Sequence, residues 1–379
     1  MPEGMISGNL FEAIGLCISA LLLLEYTVFA ARCSRQYPAD PSNDRPTAPG
    51  DATAAPELTV LIPCRNEAER LPAVLQDLAN QTVRVELLVI DDGSEDATVE
   101  LATQAGVPVL RSPGHGKKAA LAAGFAATRT PWLATVDADV RLAPNWACAL
   151  LAARMSPHAP PASAVLGPVI ISCAKHSGWE RFQAQEYAAM MLWIGGGVAS
   201  GGLAMGSGAN SLYRTADYPV DALHPEQASG DDGFALLALR IAGKHIAWCS
   251  ASAAIATTQP APSWNALWQQ RARWASKTGG QDSGTRRAAL RVAAHHAVGL
   301  AWVIAAVVAG SGAVCGMAVA FWAGKAAVDG LMIHRASRRF GIPVCRVDYV
   351  TFTLRYGALV FGAWWQLLSG KVEWKGRSI

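Results

Sequence analysis

The chain has 379 residues, 51% hydrophobic and 16% charged, with a formal net charge of +3 and a mean hydropathy of +0.21. Soluble domains carry about 25% charged residues, so this chain lacks the polar side chains to cover a water-facing surface. The apolar content excludes whole-chain disorder, the eight cysteines without CxxC pairing exclude a disulfide scaffold, and the small net charge gives no argument for nucleic acid as a partner.

The apolar excess begins at the N-terminal end. Residues Ala13 to Ala31 form a run of nineteen whose only charge is Glu25, close to the roughly 20 residues that cross a bilayer as a helix. A cleaved signal peptide would place Lys or Arg before the run, whereas Glu3 and Glu12 precede it. Arg32 and Arg35 follow it, so the positive-inside rule sends the rest of the chain into the cytoplasm. Glu25 lies near the helix end, where snorkelling or pairing at the interface is the simplest expectation. The stretch from Gln36 to Ala55, rich in Pro, Asp, Ala and Thr, reads as a linker.

An alternation of short apolar strands and helices follows. Leu58 to Ile62 reads as a strand stopped by Pro63, then helical spacing runs from Glu67 to Asn80. Leu87 to Ile90 is a second strand, followed by a helix over 97–105, a short strand over 107–110, a helix over 117–128 and a strand over 132–136. This pattern predicts βαβ units and a parallel sheet. Ligands bind such sheets beyond the carboxyl ends of the strands. Here those ends are Pro63-Cys64-Arg65-Asn66, Asp91-Asp92-Gly93-Ser94 and Asp137-Ala138-Asp139, so polar and acidic groups converge on one edge.

Asp137 and Asp139 flank one residue and can face a common crevice, where oxygen ligands suit a hard divalent cation such as Mg²⁺. The same acids would also make an ordinary acidic turn, and Asp91-Asp92-Gly93-Ser94 is good turn chemistry by itself. Gly114 to Lys118 opens a helix able to receive phosphate, or simply a solvated basic cap. Asp231 and Asp232 precede the helical run Phe234 to Ile241, where they can cap the helix or supply a general base. Gln270-Arg271-Ala272-Arg273-Trp274 ends an amphipathic stretch starting near Trp264. An Arg there can clamp phosphate, or serve a juxtamembrane basic-aromatic helix.

Residues 176–213 carry Trp179, Phe182, Tyr187, Met190, Met191, Leu192, Trp193 and Ile194, then Gly195-Gly196-Gly197 and Gly201-Gly202. This reads as a core or interface helix, or as a membrane-facing helix with a flexible glycine loop that admits a lipid hydroxyl. Further on, Ala297 to Gly324 is uncharged and would measure about 42 Å as one helix against a hydrocarbon core of about 30 Å. The Gly310-Ser311-Gly312 triplet offers a hairpin, and a third apolar stretch runs from Tyr349 to Ser369. Basic clusters lie before, between and after these segments (Arg286, Arg287 and Arg291; Arg335, Arg338 and Arg339; Lys371, Lys375 and Arg377). They cannot all be cytoplasmic if each segment crosses once, so one must be a hairpin, re-entrant or interfacial.

The ordered set Pro63 to Glu67, Asp91 to Ser94, Asp137 to Asp139, Gly230-Asp231-Asp232 and Gln270 to Trp274 resembles the family 2 glycosyltransferases of GT-A fold. More narrowly it is similar to their membrane-bound bacterial branch with a QxxRW motif, which includes ceramide-glucosyltransferase-like enzymes and polymer synthases. The resemblance implies an α/β, Rossmann-like nucleotide-sugar-binding domain flanked by transmembrane helices. It divides the chain into a membrane helix (1–35), a linker (36–56), a GT-A domain (57–285) and a C-terminal membrane region (286–379) of two or three helices.

Carried over by position, the resemblance puts Asp91 and Asp92 on the donor nucleoside and Lys117 near the nucleotide. Asp139 and Asp137 would hold the diphosphate through Mg²⁺ or Mn²⁺. Pro63, Gln270, Arg273 and Trp274 join the donor-binding set. Asp232 matches the catalytic base, with Asp231 where relatives often carry Glu, which opens the choice between the two. The implied activity is an inverting, metal-dependent hexosyl transfer from a nucleotide sugar, a UDP-sugar first among them. The acceptor would be a membrane lipid at the cytoplasmic face of a bacterial inner membrane. The alternatives are a processive polysaccharide synthase and a non-catalytic scaffold that keeps the fold.

Overall fold

The computed structural model describes residues 3–39, 55–156, 159–223, 230–277, 280–370, 373–374 and 377–378. Most of the expected linker, together with Ser229, Lys371, Lys375 and Gly376, lies outside them.

Helix α1 (Glu3–Gln36) leads to β1 (Leu58–Cys64), α2 (Leu71–Ala79), β2 (Glu86–Asp91), α3 (Thr98–Gln104), β3 (Val109–Arg111), α4 (Lys117–Ala127) and β4 (Trp132–Thr135). These strands lie side by side in the order β3-β2-β1-β4, all parallel. Leu58, Val60, Leu61, Ile62, Val89, Ile90 and Leu133 are fully buried, as expected of strands covered on both faces. Strand β1 runs on through Pro63. Pairing with β4 ends at Leu61↔Thr135, so the missing N–H of Pro63 deprives no ladder partner. Helix α2 starts at Leu71 rather than Glu67, because Asn66 is left-handed (φ 54°) and Pro72 occupies the first helical turn.

The second half adds β5 (Arg141–Leu142), α5 (Trp146–Ala152), β6 (Ala164–Leu166), β7 (Val169–Ile171), α6 (Gly178–Ala199), β8 (Ser211–Arg214), α7 (Asp231–Ile241), β9 (Ile246–Trp248) and β10 (Ala256–Thr258). Strand β8 pairs antiparallel with β4 and with β6, and completes a seven-stranded sheet with β9 at the edge. A smaller sheet has the order β5-β10-β7.

Helices α8 (Trp264–Ala275), α9 (Ser283–Ala309), α10 (Gly312–Phe340) and α11 (Arg346–Leu368) close the fold. Among the described residues, three helical segments are long and apolar enough to cross a membrane: Glu12–Gln36, Ser283–Ala309 and Gly312–Phe340. The long uncharged run is a hairpin, broken at Gly310, whose left-handed backbone (φ 58°) suits glycine. The hairpin returns Arg335, Arg338 and Arg339 toward the end where Arg286 and Arg287 begin α9. Glu25 of α1 pairs with Arg291 of α9, whose Nε lies 2.6 Å from the carboxylate.

Helix α11 carries Arg346, Asp348 and Arg355 and packs on α8 and α10. Trp268 of α8 donates to the Ala358 carbonyl (3.1 Å), and Arg181 of α6 makes a two-pronged bond to Asp348 (2.9 and 3.1 Å). In the bundle, Lys325 Nζ (2.6 Å), the Thr353 hydroxyl (2.7 Å) and the Tyr26 hydroxyl (2.8 Å) all donate to Asp329. That network ties α1, α10 and α11 through a buried ion pair in which both carboxylate oxygens accept hydrogen bonds.

Helix α6 is the bridge between the two parts, packing on α1, α10, α11 and β9. Gly195-Gly196-Gly197 is helical and belongs to this contact; the flexible glycine loop expected as one reading is not what forms. A Cβ at Gly196 would overlap the Cys33 carbonyl oxygen of α1, and one at Gly195 would overlap the rings of Tyr37 and Trp248. The glycines are there for close approach.

Candidate functional site

The carboxyl ends of β1, β2 and β4 meet at the point where the strand order reverses, between β1 and β4. Backbone bonds lock the ends together: Asp92 donates to the Cys64 carbonyl (2.8 Å) and Val136 to the Leu61 carbonyl (3.1 Å). Beyond this edge opens a cleft of about 420 Å³. Its lining includes Pro63, Asp92, Lys117, Asp137, Asp139, Asp231, Asp232, Gln270, Arg273 and Trp274. Motifs far apart in sequence therefore share one cavity. Asp91 is not among the lining residues: it is buried, and its Oδ1 accepts the Ser94 N–H (3.0 Å).

The strand-end acids are held by short local bonds. Asp92 Oδ1 accepts from Gly116 N (2.7 Å), which fixes the loop in front of α4 and so the start of the helix that carries Lys117. Lys117 Nζ reaches Asp137 Oδ1 (2.5 Å) and lies 3.8 Å from Asp231 Oδ2. Burial by itself would lower the Lys117 ammonium, but Asp137, then Asp231, hold it well above the ordinary lysine range. It is a fixed positive charge between the acid at the end of β4 and the acids that open α7.

Asp139 accepts from the Thr258 hydroxyl (3.2 Å). Its carboxyl is raised, first by burial and then by the like charges of Asp137 and Glu67. Carboxylates crowded in this way, with a hydroxyl beside them, form an all-oxygen set that suits a hard divalent cation and gains from its charge. Among the described residues, no group of three or more His, Cys, Asp or Glu side chains is arranged to hold a metal by itself. The residues fit an ion that completes its shell with substrate oxygens and water.

Asp231 and Asp232 open α7, where the helix N-terminus favours negative charge. Asp232 Oδ1 accepts from Gly233 N (2.8 Å) and Oδ2 from Gly208 N (3.2 Å). Burial and the neighbouring Asp231 raise the Asp232 carboxyl, and Lys117 offsets part of the rise. A Cβ at Gly208 would come 2.9 Å from Asp231 Oδ2 and 3.2 Å from Lys117 Nζ, so this backbone must pass bare beside the acids.

Gln270, Arg273 and Trp274 reach the cleft from α8. Burial pushes the Arg273 guanidinium down, while Asp137, Asp232 and Asp231 act in the opposite direction. Arg271, in the same motif, does not line the cleft. It pairs with Glu186 of α6 (2.5 and 3.2 Å), both nearly buried, and its guanidinium stands 4.2 Å from the centre of the Trp274 ring and 5.5 Å from that of Tyr187. This pair sets the aromatic wall on which the motif rests.

Lys277 and Gln281 also line the cleft and went unread in the sequence, and Tyr187, read there only within the apolar stretch 176–213, joins them. Lys277 follows Arg273 by four residues, the helical spacing that would have pointed to it. Its ammonium is lowered to about 8, by burial and then by Arg273. Tyr187 shares a hydrogen bond with Ser207, and burial pushes its hydroxyl up to about 12. No sequence signal joins it to Ser207.

Comparison with known proteins agrees with this geometry. Residues 59–215 match the family model described as glycosyl transferase family 2. A 4,4'-diaponeurosporenoate glycosyltransferase of Staphylococcus haemolyticus is 40% identical over 92 residues, covering 22% of this chain and 24% of that protein. An undecaprenyl-phosphate 4-deoxy-4-formamido-L-arabinose transferase of Salmonella paratyphi B is 31% identical over 106 residues, 25% of this chain and 32% of the relative. The chain thus spans a third or less of these relatives' own length. A mannosyltransferase of Pyrobaculum calidifontis, solved with GDP-Man and Mn²⁺, superposes with a TM-score of 0.56 at 16% identity, over 95% of this chain and 99% of that one. The matched stretch holds β1, β2 and β4 with the acids at their ends; it is similar to glycosyl transferase family 2, and the fold is of the GT-A type.

Proposed function

We propose that the protein is an inverting glycosyltransferase that moves a sugar from a nucleotide-sugar donor to a membrane lipid at the cytoplasmic leaflet. The observation that carries this reading is the cleft itself: it gathers Lys117, Asp137 and Asp139 with Asp231 and Asp232, on a domain whose α6 is packed into the membrane helices. The relatives named above include a transferase named for a lipid phosphate, and the structural neighbour holds a nucleotide sugar with Mn²⁺.

Asp139, with Asp137, would hold Mg²⁺ or Mn²⁺, which would supply charge to offset the diphosphate. Asp92 orients the loop before Lys117, and Pro63 and Gln270 shape the donor side. Lys117 and Arg273 stabilise the negative charge that builds on the departing nucleoside diphosphate, a preorganised electrostatic effect. Asp232, held by two backbone N–H groups, accepts the proton of the acceptor hydroxyl as the new bond forms; Asp231 stays with Lys117. A positioned base contributes about 10²–10⁴-fold.

In this reading α1, α9 and α10 cross an inner membrane, and α11 stays on the catalytic side against α8. All the basic clusters then face the cytoplasm, which satisfies the positive-inside rule. The test uses membranes carrying the full chain, labelled UDP- and GDP-sugars, and extraction into organic solvent. Labelled organic-soluble product, lost in Asp232→Asn while donor binding survives, supports the proposal. A polymeric product supports the synthase alternative, and no turnover of any donor leaves the scaffold.

A further inference from the structure

One wall of the cleft is apolar. Tyr187, Met190, Met191 and Ile194 project from successive turns of α6, and Met205 faces the same cavity from the loop after it. Three of the chain's eight methionines stand on this wall. Methionine is the side chain that adapts best to apolar ligands of irregular shape. The wall is tied to the acids: three residues after Met205, Gly208 donates to Asp232, and Ser207 between them bonds Tyr187. The wall also leads toward the candidate membrane helices, because the next turn of α6 sets Gly196 against Cys33 near the end of α1.

Charge at this end limits what can be brought in. Asp231 and Asp232 already stand side by side, and Lys117 is held between Asp137 and Asp231. Arg65 and Arg70 line the cleft from the segment after β1, and Arg273 and Lys277 are the cations on the α8 side, which the donor diphosphate must meet. A second phosphate, on the acceptor, would enter next to two carboxylates.

We infer that the methionine wall is the acceptor subsite and that it takes an uncharged lipid alcohol, whose hydrocarbon chain lies against Met190, Met191 and Met205, rather than a lipid phosphate. The inference rests on the glycosyl-transfer reading above. In the step it implies, the bond between the sugar anomeric carbon and the donor phosphate oxygen breaks, and the nucleoside diphosphate leaves with the electron pair. The alcohol oxygen bonds to that carbon from the opposite face, and its proton passes to the Asp232 carboxylate.

The test uses the full chain in proteoliposomes with labelled UDP- or GDP-sugars. The acceptors are 1-alkanols from hexanol to dodecanol and the alkyl monophosphates of the same lengths. Transfer to the alkanols is expected, with KM falling about fourfold for each methylene that the wall covers. Met205→Glu and Met190→Glu should flatten that dependence, while Met205→Leu should keep it. Better use of alkyl phosphates, or an alkanol KM independent of chain length in the unaltered protein, overturns the subsite. Donor hydrolysis or polymer formation without any alkyl glycoside overturns the subsite but leaves sugar transfer standing. If no nucleoside diphosphate is released from any donor, the parent reading falls with it.

Discussion

The two halves of the cleft are built differently. The half proposed to bind the donor comes from three neighbouring parallel strands, and its acids sit at consecutive strand ends within residues 63–139. The half proposed to take the acceptor is assembled from α6, the Met205–Gly208 loop, α7 and α8, and is held by contacts such as Arg271–Glu186, 85 residues apart. The first half is a consequence of sheet order; the second depends on helices from distant parts of the chain packing together. Loss of a donor-side group should therefore act locally, whereas loss of an acceptor-side contact should act on shape and stability as well.

The largest expected effect tests the chemistry where the halves meet. Asp232→Asn should lower transfer by about 10²–10⁴-fold with donor binding retained, measured by product formation and by donor titration. The same variant should raise the melting temperature, read by thermal unfolding. The sign follows from the raised Asp232 carboxyl: a folded-state pKa above the unfolded one makes ionisation costly at neutral pH, and Asn removes that cost. Retained turnover with lost donor affinity would move Asp232 to the donor half.

Glu186→Gln should come next, because it strands the Arg271 charge in a nearly buried place. A loss of about 3–5 kcal/mol is expected, read by thermal unfolding in detergent. Replacing both partners with apolar residues should recover much of it, which separates the ion pair from mere packing. Gly196→Ala follows, with an expected loss of about 1–3 kcal/mol as α6 is forced off the Cys33 backbone; unchanged stability would mean that α6 does not dock as described.

The smallest effect concerns Lys277. Its ammonium, lowered to about 8 by burial and then by Arg273, should be raised by a bound diphosphate. A group that gains a proton on binding supports affinity fully below its free pKa and loses that support as pH rises through about 8. Donor affinity should fall by up to about tenfold per pH unit above that point, and Lys277→Arg should remove the slope, as seen in binding titrations at pH 7 to 9.5.

Legibility follows the same division. Short apolar runs ended by Pro63, Asp91 and Asp137 sufficed to predict the parallel sheet and the edge to which its ligand belongs, since strand order brings those ends together. The start of α2 was displaced by the left-handed Asn66, a choice made by the turn and not by hydrophobic periodicity. The apolar, glycine-rich stretch around residue 195 left helix and flexible loop both open. Only the position of α1 shows why glycine is needed there. Likewise Arg271 and Arg273 are indistinguishable on paper, yet one turns to Glu186 and the other lines the cleft.

By itself the sequence determined the class of the domain, the order of its motifs, and the apolar ends that need a membrane, because hydrophobic period and strand-end chemistry are local properties. The tertiary structure decided which acids share a cavity, that the long C-terminal apolar run is a hairpin, and that α6 joins the cleft to the membrane helices. Those outcomes depend on close packing between segments that lie far apart in the chain, and packing at that range has no local signature.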